Sequence, residues 1–249
     1  MLSRDMHPVC ILLHVMGIHV WIHGSKRVER VEYRALHIAR YTVIKIVHCI
    51  TVARSYCSAS LQMRPVYNTC MHYLGVISIV IIWLGLLYLI NKWPGKPSMS
   101  FSLHATQTKG AQIYYFLLFL VSLPLFYIFI VGWYVPSLHL NSWFVVLTTI
   151  GVIGQLIAAT VPAVPGRKTA IHNIGAYGMA ATFIPLSLIV AMAGDVHMYA
   201  RVVAALAVLY MICTLGAALV LPRLRAHYIY FQAGYIAAFH AVILTSAYL

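Results

Sequence analysis

Long apolar runs, separated by short polar or proline-containing segments, recur from residue 71 to the end of the chain. Each run has about the 20 residues that a membrane-spanning helix needs. Lipid satisfies no backbone hydrogen bonds, and the runs lack the alternation of barrel strands, so they predict helices. The predicted fold is therefore all-α, a polytopic membrane bundle of six transmembrane helices at about 71–91, 112–134, 143–162, 170–193, 200–221 and 227–248.

Rows of small residues predict which helix faces pack closely. They lie in the third, fourth and sixth predicted helices: Gly151, Gly154 and Ala158; Gly175, Gly178 and Thr182; Gly234, Ala238 and Ala241. Packing within one chain is the favoured interpretation, and a homo-oligomer formed through these faces is the alternative. Pro124 and Pro185 fall inside spans, where proline kinks a helix.

Composition and charge divide the chain near Met71. With 62% hydrophobic and 8% charged residues, a soluble globular enzyme is excluded. The formal net charge of +13 is uneven, because residues 1–70 hold nine of the 17 Lys and Arg residues and three of the four acids. We therefore separate a basic N-terminal extension, 1–70, from a six-helix domain, 71–249.

The extension is expected to be poorly structured, because it shows no consistent periodicity. An interfacial amphipathic helix over 27–54 is one alternative, and a protein start misassigned upstream of Met63 or Met71 is another. Its cysteines lack C-x-x-C spacing, so we predict no metal site. It also lacks a recognition motif with interleaved aromatic residues, so we predict no nucleic-acid partner.

Basic residues in the six-helix domain collect in three connections: Lys92, Lys96, Lys109, Arg167, Lys168, Arg223 and Arg225. Only Arg201 lies on the other side. The positive-inside rule places those three connections in the cytoplasm, in a bacterial-type plasma membrane. The basic extension favours the opposite orientation.

Polar residues inside spans are candidates for function, and here they are few. Gln155 and His240 are the main ones, and a hydrogen bond between helices is the simpler role for each. No acid lies within a span, which argues against proton-driven transport. We find neither H-E-x-x-H nor G-x-S-x-G, so we predict no catalytic residue, no cofactor and no enzyme activity.

The richest local cluster follows the third helix, in the segment TVPAVPGRKTAIHNIGAYG. Its prolines and glycine predict a rigid turn, and Thr169 is a candidate N-cap for the fourth helix. Arg167, Lys168, His172 and Asn173 lie at that helix N-terminus, where an anion is favoured. These residues predict a site for a lipid phosphate or carboxylate, and a plain cationic connector is the alternative.

A resemblance to a known family rests on one pattern, which consists of P-x-x-P-G, a basic turn and then I-H-x-x-G-A. The matching positions are Pro162, Pro165, Gly166, His172, Gly175 and Ala176. Over about 71–249 the chain resembles an uncharacterised bacterial membrane family, domain of unknown function 998, which is distantly similar to DRAM/FRAG-type proteins. The resemblance implies six helices, an external position for this loop and no known reaction. The acidic loop common in the family is replaced here by basic residues, so no metal or acid–base role is carried over.

Three functions remain open. The first is a non-enzymatic membrane protein that binds lipid or a small amphiphile at the helix 3–4 turn, with membrane lipids as its partners. The second is a permease-like facilitator, which a water-filled cavity reaching Gln155 would favour over lipid binding. The third is a membrane redox or haem protein, which would need His172 and His240 to share one site.

Overall fold

The computed structural model describes residues 64–162 and 167–249, all within one compact unit, Ile50–Leu249. In these ranges the chain is helical and contains no strand. The helices are α1 (Arg64–Lys92), α2 (Phe101–Ala105), α3 (Lys109–Phe129), α4 (Ser142–Thr160), α5 (Arg167–Met192), α6 (Met198–Val220) and α7 (Tyr228–Tyr248). A π-helical turn, Ile130–Tyr134, and a last turn, Val135–Ser137, extend α3, and a 3₁₀ turn, Pro222–His227, precedes α7.

All helices except α2 are long and apolar enough to cross a membrane, so the six predicted spans are confirmed. The predictions for residues 1–63 lie outside the described residues, and α1 begins at Arg64, before the predicted boundary at Met71. The sequence had not indicated α2, which lies in the predicted loop between the first two spans. Ser100 caps α2 by accepting a hydrogen bond from the Leu103 amide at 3.2 Å.

The ends of the spans form two faces of the bundle. The connections from α1 to α3, α4 to α5 and α6 to α7 meet at one face, which we call the α2 end. There the Ile229 amide donates to the Pro97 carbonyl at 3.0 Å, which ties the first connection to α7. The connections after α3 and α5 lie at the other face, which we call the opposite end. The structure thus gathers the basic connections at the α2 end, as the charge pattern predicted.

Close approach of glycines joins α4 to α5. A Cβ added at Gly154 would lie 2.6 Å from the Gly175 carbonyl oxygen, and one added at Gly175 would lie 2.7 Å from the Gly154 oxygen. Gly151 similarly faces the Thr182 hydroxyl, at 2.7 Å from an added Cβ. Two predicted small-residue rows therefore pack against each other within the chain. Pro124 and Pro185 lie inside α3 and α5, as predicted.

Candidate functional site

A cavity of about 70 Å³ lies between α1, α3, α4, α5 and α7, with α2 at one side of it. Most of its wall is aliphatic or aromatic, and no residue that lines it carries a formal charge. Six polar side chains interrupt this wall: Tyr115, Thr148, Gln155, Thr182, Gln232 and His240. The structure therefore places both intramembrane candidates, Gln155 and His240, on one internal space.

His240 is oriented by a tryptophan on α1. The Trp83 indole N–H donates to His240 Nδ1 at 3.0 Å. Since an indole nitrogen can only donate, Nδ1 is the unprotonated nitrogen and Nε2 carries the proton of the neutral ring. That Nε2–H has no hydrogen-bond partner among the described residues, although His240 is only 6% exposed. His240 lines the cavity, so its ring brings an unpaired hydrogen-bond donor to the cavity wall.

Gln155 contributes an acceptor to the same cavity. Its amide nitrogen lies 3.4 Å from the Tyr115 hydroxyl, a long hydrogen bond. In the part of the chain that the structure describes, no group donates to its side-chain carbonyl oxygen. Tyr115 is itself held edge-on against Phe119, with 4.9 Å between ring centroids. Gln155 therefore brings to the cavity wall a side-chain carbonyl oxygen that has no hydrogen-bond donor.

The two threonines contribute less, because their hydroxyl protons are already used. Thr148 donates to the Phe144 carbonyl at 2.8 Å, and Thr182 donates to the Met179 carbonyl at 2.7 Å. Their oxygens can still accept a hydrogen bond. Neither hydroxyl is paired with a base, so the cavity has no activated nucleophile of the serine–histidine kind.

Aromatic rings form the deep wall of the cavity, towards the opposite end. Phe183 of α5 stacks on Phe239 of α7 with 4.1 Å between centroids and an interplanar angle of 11°. Phe126 of α3 packs against the same Phe239 at 6.4 Å. These rings separate the cavity from the packed core beyond them, which includes Val190 and Ile243.

The short helix α2 supplies the wall at the other side. Its Phe101 amide donates to the side-chain oxygen of Gln232 on α7 at 2.9 Å, and the Phe101 ring lines the cavity with only 4% exposure. Gln232 therefore caps α2 and fixes the position of Phe101. Gln232, Tyr115 and Trp83 were not singled out from the sequence. Two of them, Gln232 and Trp83, could have been noticed in the sequence, because a glutamine or a tryptophan inside an apolar span stands out.

His172 lies outside this cavity and has a different role. Its Nδ1 lies 2.8 Å from the Val161 carbonyl oxygen and its Nε2 lies 3.1 Å from the Ser102 hydroxyl. A carbonyl only accepts, so Nδ1 is the donor and Ser102 donates to Nε2. Both ring nitrogens are thus used to tie α2 to the end of α4. His172 and His240 do not line a common cavity, and the haem hypothesis gains no support from this arrangement.

The other predicted residues of the helix 3–4 turn are placed at the start of α5. Arg167 and Lys168 are its first two residues, and their side chains are outside the described part of the structure. Asn173 is half-buried in the following turn. Thr169 lies inside α5 and not before it, so its prediction as the N-cap was wrong. The turn itself, residues 163–166, lies outside the described residues.

Among the described residues, no group of three or more His, Cys, Asp or Glu side chains is arranged to hold a metal ion. No family model, no curated protein and no solved structure matches this chain significantly. The resemblance to domain of unknown function 998 therefore stays a prediction. What is shown is an integral, multi-pass membrane protein with an internal, uncharged, partly polar cavity.

Proposed function

We propose that this protein binds a small uncharged amphiphile in the cavity, through Gln155 and His240. The observation that carries the proposal is the pairing of an unused acceptor and an unused donor, Gln155 Oε1 and His240 Nε2–H, on one buried space. Unpaired polar groups inside a membrane protein are costly, so their retention here favours a ligand that pairs them. The amphiphile hypothesis is kept, but its site moves from the helix 3–4 turn to the bundle interior.

The chemistry of the ligand follows from the lining. A charged group placed among uncharged side chains would lose its hydration without a counter-ion, so the ligand is neutral. A hydroxyl or amide both donates and accepts, and so it fits Gln155 and His240 together. The volume of about 70 Å³ suits a small head group or a short chain and is well below that of drug-sized ligand pockets. A short-chain alcohol is the simplest such molecule.

Binding without reaction is the activity we propose. The imidazole in the cavity already accepts a hydrogen bond from Trp83 at 3.0 Å, so the nitrogen left to the ligand is a donor and not a base. The threonine hydroxyls donate to helix carbonyls. These assignments support a ligand site, with Arg167, Lys168 and Asn173 kept as predicted contacts for lipid at the α5 N-terminus.

A permease-like facilitator is the second candidate function. The cavity reaches Gln155 and extends along α7 to His240, as a solute pathway through the bundle centre would require. Passage to the opposite end would require Phe183 and Phe239, now stacked at 4.1 Å, to separate. That closed aromatic wall is why we place binding first.

Photolabelling tests the binding site. The protein, in phosphatidylcholine nanodiscs, would be irradiated with a short-chain alcohol that carries a diazirine, and the labelled positions would be read by peptide mass spectrometry. We expect labels on cavity-lining residues of α4 and α7, with competition by the unlabelled alcohol. Gln155→Leu should lower this labelling about tenfold, since one hydrogen bond to a buried group is worth about 1.4 kcal/mol.

Thr149→Val is the matched control, because Thr149 lies on the same helix and bonds to Tyr127 at 3.0 Å outside the cavity. Its labelling should equal that of the wild type. Labels confined to lipid-facing residues such as Leu209, without competition, would contradict the proposal. Uptake of small neutral solutes into liposomes that depends on Gln155 would instead establish the facilitator.

We also propose, on sequence grounds, that the chain belongs to domain of unknown function 998 and resides in a bacterial-type plasma membrane. The family assignment rests on the motif of Pro162, Pro165, Gly166, His172, Gly175 and Ala176, and the contact of Gly154 with Gly175 gives one of these residues a packing role. Gathering of the basic connections at the α2 end favours a cytoplasmic position for that end, whereas the family resemblance implies an external position for the α4–α5 loop at the same end. An alignment of relatives showing glycine at both positions would test the first assignment.

A further inference from the structure

A second concave site lies on the outer side of the bundle, between α1 and α7 at the α2 end. This groove has a volume of about 340 Å³, within the range of ligand pockets. Trp83, Leu87 and Ile90 of α1 form one side, and Tyr230 and Ala233 of α7 contribute to the other. Leu87 is 49% exposed and Tyr230 is 65% exposed, so the groove opens outward towards lipid.

The depth of the groove corresponds to one leaflet. It extends along α1 from Trp83 to Asn91 and continues into the connection as far as Pro97. At the helical rise, the distance from Trp83 to the end of α1 is roughly 14 Å. That is about half of the hydrocarbon thickness of a bilayer. A single acyl chain reaching from the interface towards the midplane would therefore match the groove in length.

The wall of the groove at its mouth is held in place by short-range contacts. His104, which lines the groove, is 2% exposed and lies 3.0 Å from the Ser100 carbonyl oxygen through its Nδ1. Gly95 allows the connection to pass close to His104, since an added Cβ would come within 2.8 Å of its Nε2. The site is thus largely pre-formed, which lowers the entropic cost of binding.

The charge at the mouth is positive. Lys92 and Lys96 are both exposed, and they flank the lining residues Asn91, Gly95 and Pro97 in the chain. In residues 71–249 the sole acidic residue is Asp195, which lies at the opposite end. The ammonium groups at this mouth are therefore available to an anionic group at the interface.

We propose that the groove binds one acyl chain of an anionic phospholipid from the leaflet at the α2 end, with the phosphate held near Lys92 and Lys96. The apolar side chains of α1 and α7 take the chain, and the two lysines select the charge. This site does not depend on the cavity ligand. Leu86 and Phe101 line both spaces, so the bound lipid lies beside the cavity with those two side chains between them.

Native mass spectrometry from nanodiscs tests the proposal. The discs would contain equal amounts of phosphatidylglycerol and phosphatidylcholine with identical acyl chains. We expect the released wild-type protein to retain one phosphatidylglycerol about tenfold in preference to phosphatidylcholine. The double variant Lys92→Gln/Lys96→Gln should lose most of this preference, whereas Arg201→Gln, which removes a charge at the opposite end, should keep it.

A second variant tests the acyl-chain part separately. Leu87→Trp should fill the groove and abolish retention of either lipid, while Leu209→Trp, on the exposed side of α6, should change nothing. Retention of both lipids in the proportion of the bilayer, or an equal effect of Arg201→Gln and the lysine variant, would overturn the proposal. If Leu87→Trp keeps the photolabelling of the cavity, then ligand binding in the cavity does not depend on lipid binding in the groove.

Discussion

The two ends of the membrane bundle fill the space between the same helices in different ways. Towards the opposite end, Phe129, Ile130, Tyr134, Phe144 and Val242 all have no exposed surface. Towards the α2 end, α1, α3, α4, α5 and α7 instead surround a cavity of about 70 Å³. The same helices pass through both regions, and at the opposite end α3 continues into the π-helical turn Ile130–Tyr134, whose first and last residues are among these buried side chains.

Hydrogen bonding of polar groups also differs between the ends, with the exception of the Ser187 hydroxyl, which is buried near the end of α5 without a partner among the described residues. At the opposite end, the Tyr134 and Ser246 hydroxyls lie 2.6 Å apart, and Ser246 also donates to the Val242 carbonyl at 2.6 Å. At the cavity, Gln155 Oε1 and His240 Nε2 have no partner among the described residues. Helix association in lipid depends on packing and hydrogen bonds and not on apolar burial. We infer that the opposite end stabilises the bundle and that the α2 end is specialised for binding.

Truncating one phenylalanine at each end should separate the two roles most clearly. We expect Phe144→Ala to lower the free energy of unfolding by about 3 kcal/mol, because a fully enclosed ring leaves an empty space. Phe119→Ala should cost about half as much, because Phe119 already borders the cavity and has fewer packing partners to lose. Reversible unfolding in mixed micelles, followed by circular dichroism, measures both.

Equal losses for Phe144→Ala and Phe119→Ala would contradict this comparison, since they would show the two regions to be equally well packed. The experiment is internally controlled, because both variants remove the same atoms from a buried phenylalanine. Phe144 is 0% exposed and Phe119 is 6% exposed, so their burial differs little. A difference in stability would therefore report the space around each ring.

The glycine contact between α4 and α5 gives the next largest effect. Gly175→Ala should destabilise the protein by about 2 kcal/mol, because the new Cβ would meet the backbone of Gly154, which cannot move aside easily. Gly178→Ala is the matched control on the same helix, since an added Cβ there meets nothing within 4 Å. Thermal unfolding should separate the two variants. A neutral Gly175→Ala would show that the helices can separate without loss.

The spans could be predicted from the sequence because the bilayer imposes a length and a polarity that any spanning helix must match. The side chains that face the bundle interior could not be predicted, because lipid-facing and core-facing positions are both apolar. Leu84 is 62% exposed and Leu86 is 1% exposed, although they are the same residue two positions apart. Residue type therefore did not reveal which face of α1 lines the cavity.

Polar positions were the exception, and they were predicted in part. Gln155 and His240 were expected inside the bundle, and each is 6% exposed there. His172 was predicted as a ligand contact, but both of its nitrogens are used to tie α2 to α4. That role depends on α2, whose N-terminus is capped by Gln232 from the far end of the sequence. A contact between such distant residues is not visible in local periodicity.

Adding one methylene group at each end should give opposite results. Val242→Leu should destabilise the bundle by about 1 kcal/mol, because Val242 has no exposed surface and does not line the cavity. Val152→Leu should leave stability unchanged or raise it slightly, because Val152 lines the cavity and the added group can enter it. It should also weaken photolabelling by the diazirine alcohol. Destabilisation of the same size in both variants would show that the cavity space is not accessible to side chains.

The hydrogen bond from Trp83 to His240 should have the smallest effect on stability and a distinct effect on the imidazole. Trp83→Phe should cost about 0.6 kcal/mol, the average for a hydrogen bond between membrane helices. It should also remove the reason for Nδ1 to remain the acceptor, so that both neutral tautomers become populated. Nitrogen-15 NMR of labelled histidine measures the tautomers, and Trp133→Phe, which alters a ring stacked on Phe129 away from the cavity, is the control. If His240 keeps its proton on Nε2 in Trp83→Phe, then the cavity itself selects the tautomer, and the donor presented to a ligand does not depend on α1.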